Sequence, residues 1–163
     1  MDTALAEFDQ KQLRDAFGHF ATGVCVVGFV GQDGTKVGIT VNSFTSLSLD
    51  PALLLVCLGT NLRSHDAMVS TGGFGVSVLS EDQRDISGRF ATRGGPKWDG
   101  MAFIEGKEGA LMVPGAIAWF DCEAEAAYPA GDHTILVGRV RNFMADKDKR
   151  PLLFFRGAYG QAA

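Results

Sequence analysis

The residues best suited to chemistry lie in two short stretches. Residues 38–51 read Gly-Ile-Thr-Val-Asn-Ser-Phe-Thr-Ser-Leu-Ser-Leu-Asp-Pro, with five hydroxyl side chains and one amide set among apolar neighbours. Hydroxyls and backbone N–H groups in such a run hold a flat polar heterocycle and a phosphate through neutral hydrogen bonds. The same composition also describes a plain Ser/Thr-rich turn. The second stretch is Gly131-Asp132-His133-Thr134, which opens an apolar run. It places an imidazole at a strand end, or equally forms an Asp-stabilised turn with His133 satisfied locally.

Other chemistries are excluded by pattern. Gly72-Gly73-Phe74-Gly75 lacks the third glycine of a dinucleotide fingerprint and opens a strand rather than a helix. There is no Walker sequence and no G-x-S-x-G elbow. His19, His65 and His133 have no metal-ligand spacing, and Cys25, Cys57 and Cys122 form no C-x-x-C or Cys/His cluster, so no metal is expected. Each cysteine sits in an apolar run, as a small buried hydrophobe does in a reducing compartment.

The elements that must position these residues point to one β-rich domain spanning residues 1–163. A domain usually holds roughly 100–150 residues, and 163 residues bury enough surface to need no disulfide or metal. The 21 glycines exceed the ordinary share of about 7% and show no Gly-X-Y period, which implies many turns. The net charge is −4, with 15 basic residues scattered among 19 acidic ones, so no nucleic-acid partner is expected. No apolar run nears the ~18 residues of a membrane span, and the opening Met-Asp-Thr-Ala-Leu-Ala-Glu lacks signal-peptide order. A cytoplasmic location follows as an expectation.

Along the chain, residues 9–21 show helical spacing. Leu13, Ala16, Phe17 and Phe20 form an apolar face, Asp9 and Gln12 suit a capping box, and Gly23 suits the end. Residues 24–30 and 35–41 read as strands joined by Gly31-Gln32-Asp33-Gly34, because Asp-Gly favours tight hairpins. Further strands are expected at 52–58, 74–79, 118–128, 133–143 and 152–155, with helical turns at 63–70 and 81–90. In 118–128 the alternation puts Phe120, Cys122, Ala124 and Ala126 inside and Asp121, Glu123 and Glu125 in water, and Arg139 and Arg141 share one face of the next strand. Residues 91–115 read as a long irregular connection, and loops of that length are usually functional. About seven strands and two short helices make an antiparallel barrel of Greek-key type.

Several segments in fixed order carry a resemblance. They are Ala21-Thr22-Gly23-Val24, Thr40-Val41-Asn42-Ser43-Phe44-Thr45-Ser46, Ser48-Leu49-Asp50-Pro51 and the Gly-Asp-His-Thr turn, closed by Pro151-Leu152-Leu153-Phe154-Phe155-Arg156-Gly157 with Tyr159. From Leu13 to Gly160 the chain resembles the flavin reductases that supply reduced flavin to two-component monooxygenases. The resemblance implies a mainly β, antiparallel Greek-key split barrel that forms a homodimer and binds FMN or FAD near the subunit interface. It implies NADH or NADPH as hydride donor, and a separate flavin-dependent oxygenase as partner.

By position, Thr40, Val41, Asn42, Ser43, Phe44, Thr45, Ser46 and Leu47 would follow the ring and ribityl chain. Ser46 and Ser48 would approach the phosphate, as would Asn61 and Ser64. Thr22 would touch the ring, and Phe90 would pack beside it or serve as a core phenylalanine. His133 would stand at the nicotinamide side as the catalytic residue, with Tyr159 near it; Arg156 is either part of this end or a surface charge. The implied reaction passes hydride from nicotinamide C4 to flavin N5, so it needs no general base and no protein nucleophile. The same fold also suits a tightly held flavin serving another acceptor, or a non-catalytic flavin-binding module. The absence of an evident Arg cluster for a 2′-phosphate favours NADH.

Overall fold

The computed structural model describes residues 8–163, so the leader-free reading of residues 1–7 lies outside them. Helix α1 (Gln10–Phe17) begins where Asp9 Oδ1 accepts the N–H groups of Lys11 and Gln12 at 2.8 and 3.0 Å. It stops at Gly18, five residues before the expected Gly23. Its apolar face does not enter the core: no residue of α1 is buried, and Phe17 and Phe20 are 69% and 79% exposed.

The strands follow as β1 (Thr22–Gly23), β2 (Cys25–Val30), β3 (Lys36–Val41), β4 (Thr45–Leu49) and β5 (Ala52–Gly59). Helix α2 (His65–Val69) and β6 (Gly73–Val78) come next. A capping box between Ser80 and Gln83 starts a 3-10 turn that runs into α3 (Arg84–Ala91). Then come β7 (Ile104–Glu105), β8 (Leu111–Met112), β9 (Ala118–Ala130), β10 (His133–Ala145), β11 (Leu152–Phe155) and β12 (Ala158–Gln161). The β2–β3 hairpin forms as its turn chemistry requires. Asp33 Oδ1 accepts the Thr35 N–H at 2.9 Å, and Gly34 takes a φ of +81°.

Seven strands form one antiparallel sheet in the order β3-β2-β6-β9-β10-β5-β4. Its two edges, β3 and β4, are consecutive in the chain, separated only by residues 42–44. In a flat sheet those edges would stand about 29 Å apart, at roughly 4.8 Å per strand step. The connection reaches at most about 14 Å. The sheet must therefore curl, and the barrel is split along the β3/β4 seam, where no ladder pairing runs. The antiparallel split barrel expected from sequence is the observed architecture, and the hydroxyl-rich residues 45–49, read as a turn or ligand segment, are one of its edge strands.

Core residues lie on both sides of this sheet. Val27, Phe29, Leu54, Val56, Leu58, Phe74 and Leu136 fill the barrel. Val24, Val26, Leu79, Phe90, Trp98 and Leu111 fill a second layer against α3 and the small sheet β1-β11-β12. β2 contributes to both, with odd residues inside and even residues outside, which is why its sequence is continuously apolar rather than alternating.

Two expectations are corrected here. Residues 91–115 are not an irregular connection throughout: β7 pairs with β8, and Trp98, Leu111, Met112 and Val113 are buried. The close approach of this layer requires a glycine beneath it, since a Cβ on Gly28 would lie 2.6 Å from Trp98 Cζ2 and 2.7 Å from the Leu111 carbonyl. Asp121, expected in water, is 5% exposed. The same layer covers it, and its Oδ2 accepts the Lys107 N–H at 3.0 Å. Glu123 and Glu125 keep the expected outward face and pair with Arg141 and Arg139.

Candidate functional site

A groove of about 470 Å³ runs along the outside of β3. Its floor is Val37, Gly38 and Ile39; its walls are residues 61–64 on one side and the end of α3 with residues 91–97 on the other. Four cations, Lys36, Arg63, Arg93 and Lys97, line it, and no carboxylate does. Among the described residues, no acid lies within ion-pair distance of any of the four. In a chain of net charge −4, such a concentration of positive charge suits an anion.

The groove's outer wall is held firmly. Lys97 Nζ donates to the Gly38 and Phe90 carbonyls at 3.2 and 3.0 Å, closing the C-terminus of α3, and burial pulls its pKa down. Trp98 Nε1 donates to the Val37 carbonyl at 3.0 Å, and Arg89 donates to the carbonyls of Lys97 and Asp99. Lys97 thus serves the wall and Lys36 Nζ lies over the Phe103 ring at 5.3 Å from its centroid, while Arg63 and Arg93 have no such partner among the described residues.

Outside the groove, near Asn61, stands His133. It pairs with Gly59 across β10 and β5, and a Cβ on Gly59 would lie 3.0 Å from Asn61 Oδ1 and 3.9 Å from His133 Nε2. The His133 side chain is 49% exposed, and its Nδ1 lies 2.6 Å from Asp132 Oδ1. A carboxylate only accepts, so Nδ1 carries the proton and Nε2 is left for a ligand. Hydrogen bonding to His133 and its charge hold the Asp132 carboxyl below the ordinary range. The thiols of Cys25 and Cys122 are pushed up to about 12 by burial, with the Asp121 charge adding at Cys122, so neither is a nucleophile.

Comparison with known proteins identifies the family of the chain. Residues 17–163 match the family described as the flavin reductase like domain. The chain belongs to the flavin reductase family. It is 44% identical over 155 residues to a Rhizobium meliloti (strain 1021) protein named as a probable flavin reductase, covering 93% of this chain and 49% of that one. It is 40% identical over 149 residues to the reductase component of the flavin-dependent trigonelline monooxygenase of Acinetobacter baylyi, covering 91% and 48%. The chain thus spans about half the length of both relatives. The NADH:FAD oxidoreductase of Streptomyces globisporus C-1027 superposes with a TM-score of 0.89 at 36% identity, covering 98% of this chain and 99% of that one. That protein is also known in complex with NAD and FAD fragments.

The residues that the flavin reductase resemblance implied fall into three groups. Asn61, Ser64 and Phe90 line the groove, and His133 adjoins it through Gly59. Phe90 is fully buried and meets Trp98 edge-on at 4.7 Å between centroids, so it acts as the groove's packed floor and as a core residue at once. The seam group comprises Val41, Asn42, Ser43, Phe44, Thr45, Ser46, Leu47 and Ser48. Asn42, Thr45, Ser46 and Leu47 are exposed there and Ser48 is half-buried, on edges whose outer backbone groups have no ladder partner. Ser43 is committed elsewhere: its hydroxyl accepts from Cys57 N–H at 2.9 Å and donates to the Cys57 carbonyl at 3.1 Å, imitating a ladder pair. Val41 and Phe44 pack on the core, Phe44 stacking on Phe120 at 5.6 Å.

The third group lies away from the groove. Thr40 Oγ1 donates to the Ser87 carbonyl at 2.7 Å, and Ser87 Oγ bonds the Tyr159 hydroxyl at 2.7 Å, so both side chains fasten α3 to the sheets. Tyr159 also meets Phe154 edge-on and lies under the Arg84 guanidinium. Thr22 belongs to the small sheet, and its hydroxyl is buried without a hydrogen-bond partner among the described residues. Arg156 takes a φ of +52° in the β11–β12 turn, stacked over Phe155. Lys36, Arg63, Arg93 and Lys97 were not anticipated, because they come from three segments distant in sequence; only the fold collects them.

Proposed function

We propose that this chain is an NAD(P)H-dependent flavin reductase that reduces FMN or FAD and passes it to a separate oxygenase. The observation that carries this reading is the groove with four unpaired cations and no carboxylate, in a chain of the flavin reductase family. The residues present fit the cofactor. The cations with Asn61 and Ser64 suit its phosphate, and the unpaired backbone edges at the β3/β4 seam suit the polar rim of a flat ring.

When bound, the flavin supplies a hydride acceptor for a reduced nicotinamide. The protein's own work is positioning. Phe90, Trp98 and Lys97 fix the floor and wall, so the ligand meets a preformed surface. Arg63 and Lys36 neutralise phosphate, and His133, oriented by Asp132, presents Nε2 at the open end. The purified protein should oxidise NADH with a rate that rises and saturates as FMN or FAD is added. Oxidation indifferent to added flavin indicates a fixed cofactor and another acceptor; flavin binding without oxidation refutes the enzyme reading.

His133 is assigned to the nicotinamide side because it is exposed beside Asn61 yet lies outside the cationic stretch. His133→Ala should slow hydride transfer about tenfold, or raise the KM for NADH comparably, a loss of about 1.4 kcal/mol. Flavin affinity should stay within about twofold. Unchanged stopped-flow rates and unchanged KM would refute the role.

The homodimer belongs to the same proposal. Phe17, Phe20, Leu49 and Phe143 are all well over half exposed, large apolar side chains that a second copy would cover. Sedimentation at micromolar concentration should give twice the chain mass, and a monomer there refutes the dimer. Among the described residues no helix is long and apolar enough to cross a membrane.

A further inference from the structure

The cationic groove opens into a second space. Between the β2–β3 turn and α2 lies a cavity of about 570 Å³, and Thr35, Val37, Arg63 and Ser64 line both it and the groove. Arg63 therefore stands at a junction, facing two compartments of opposite character. The groove carries cations only; the cavity beyond Arg63 carries two carboxylates, Asp33 and Glu108, and the amide of Gln32.

These groups are not used up within the protein. Asp33 spends Oδ1 on the Thr35 N–H, leaving its other oxygen. That hydrogen bond also lowers the pKa of the carboxyl from its ordinary value. Glu108 has no cation within ion-pair distance among the described residues. It is held at a φ of +50°, and a Cβ on Gly72 across the cavity wall would lie 3.5 Å from its Oε2. Unpaired carboxylates repel phosphate and accept from donors, above all the vicinal hydroxyls of a ribose without a 2′-phosphate and an exocyclic amine. Each compartment falls in the size range of about 300–1,000 Å³ that encloses a small ligand. A ligand spanning both must be anionic at Arg63 and neutral and donor-rich beyond it, which is the layout of a dinucleotide.

We propose that the Asp33/Glu108 cavity receives the adenosine half of FAD, with the diphosphate at Arg63 and Ser64, so that this protein selects FAD over FMN. The inference rests on the flavin reductase reading and sharpens it. The nicotinamide dinucleotide carries the same adenosine half, and the test separates the two sources.

Dissociation constants for FAD and FMN are measured by quenching of flavin fluorescence, on the intact protein without turnover. FAD should bind at least about tenfold more tightly. Ala67→Trp, on the exposed side of α2 that lines the cavity, should raise the FAD constant about tenfold and leave that for FMN within twofold. Glu108→Gln, isosteric and uncharged, should weaken FAD severalfold by removing the acceptor charge and again spare FMN. Equal affinity of the wild type for the two flavins overturns the proposal, as does a loss shared equally by FAD and FMN in Ala67→Trp. A rise in the KM for NADH with FMN as acceptor, at unchanged FAD affinity, assigns the cavity to the nicotinamide nucleotide and overturns the FAD assignment. Failure of both flavins to bind refutes the reductase reading itself, and this inference with it.

Discussion

Arg63→Glu should raise the dissociation constant for flavin about a hundredfold or more while leaving the unfolding temperature nearly unchanged. Arg63 lines the groove and the adjoining cavity and has no acidic partner among the described residues. Its charge therefore contributes nothing to an internal ion pair and is available to a phosphate. A charge-assisted hydrogen bond is worth about 1.5–3 kcal/mol, and a hundredfold corresponds to about 2.8 kcal/mol at 1.4 kcal/mol per decade. Reversal adds repulsion to that loss, so the Ala variant should fall between wild type and Glu. The difference should shrink in 1 M salt, where the Debye length is about 3 Å. Titration calorimetry at low and high salt reads both effects. A Glu variant that binds flavin normally removes the phosphate from this groove.

Gly38→Ala should cost about 1–3 kcal/mol of stability, the usual range for overpacking a core, and should weaken flavin binding along with it. The new Cβ would come 2.6 Å from Phe90 Cδ1 and 2.9 Å from Trp98 Nε1, and nearer still to Phe90 Cε1. Neither ring yields easily: Phe90 is fully buried, and Trp98 is anchored by its bond to the Val37 carbonyl. Whatever moves carries the groove with it, because Lys97 holds the Gly38 and Phe90 carbonyls together. For a domain of this size each kcal/mol shifts the melting temperature by roughly 2–4 °C. Gly88→Ala is the matched control. It lies in α3 with nothing within 4 Å of an added Cβ, and Ala there should stabilise by up to about 1 kcal/mol. Thermal unfolding of the two variants should move in opposite directions, and a Gly38→Ala protein as stable as wild type contradicts the packing described.

Local features of this fold were legible in the chain. The Asp33-Gly34 turn and the paired strands on either side were expected within one residue of where they stand, because the turn chemistry and the apolar runs are short-range signals. The Arg139 and Arg141 face opposite Glu123 and Glu125 was likewise visible as a period of two. What escaped depends on distant neighbours. Nothing near Asp121 in sequence announces that residues 106–107 will cover it. The apolar face of α1 has the spacing of a core helix, yet none of its residues is buried by the described part of the chain.

The site divides the same way. The resemblance implied cofactor contacts for Asn61, Ser64, Phe90 and His133, and the structure brings the first three to the groove and His133 next to Gly59 beside it. It also implied ligand contacts for Thr40 and Tyr159, whose hydroxyls are already engaged at Ser87. The four groove cations come from β3, from the loop after β5 and from the segment after α3. Each reads as an ordinary surface charge until the barrel closes.

The split in that barrel bears on exchange. Between β3 and β4 the sheet has two rims and no shared ladder, so parting them sacrifices no backbone hydrogen bond. Every other neighbouring pair in the sheet must break a ladder to separate. That rim without a ladder lies beside the groove along β3. In the proposed reductase, that rim is where flavin would enter and leave without any ladder of the sheet having to open.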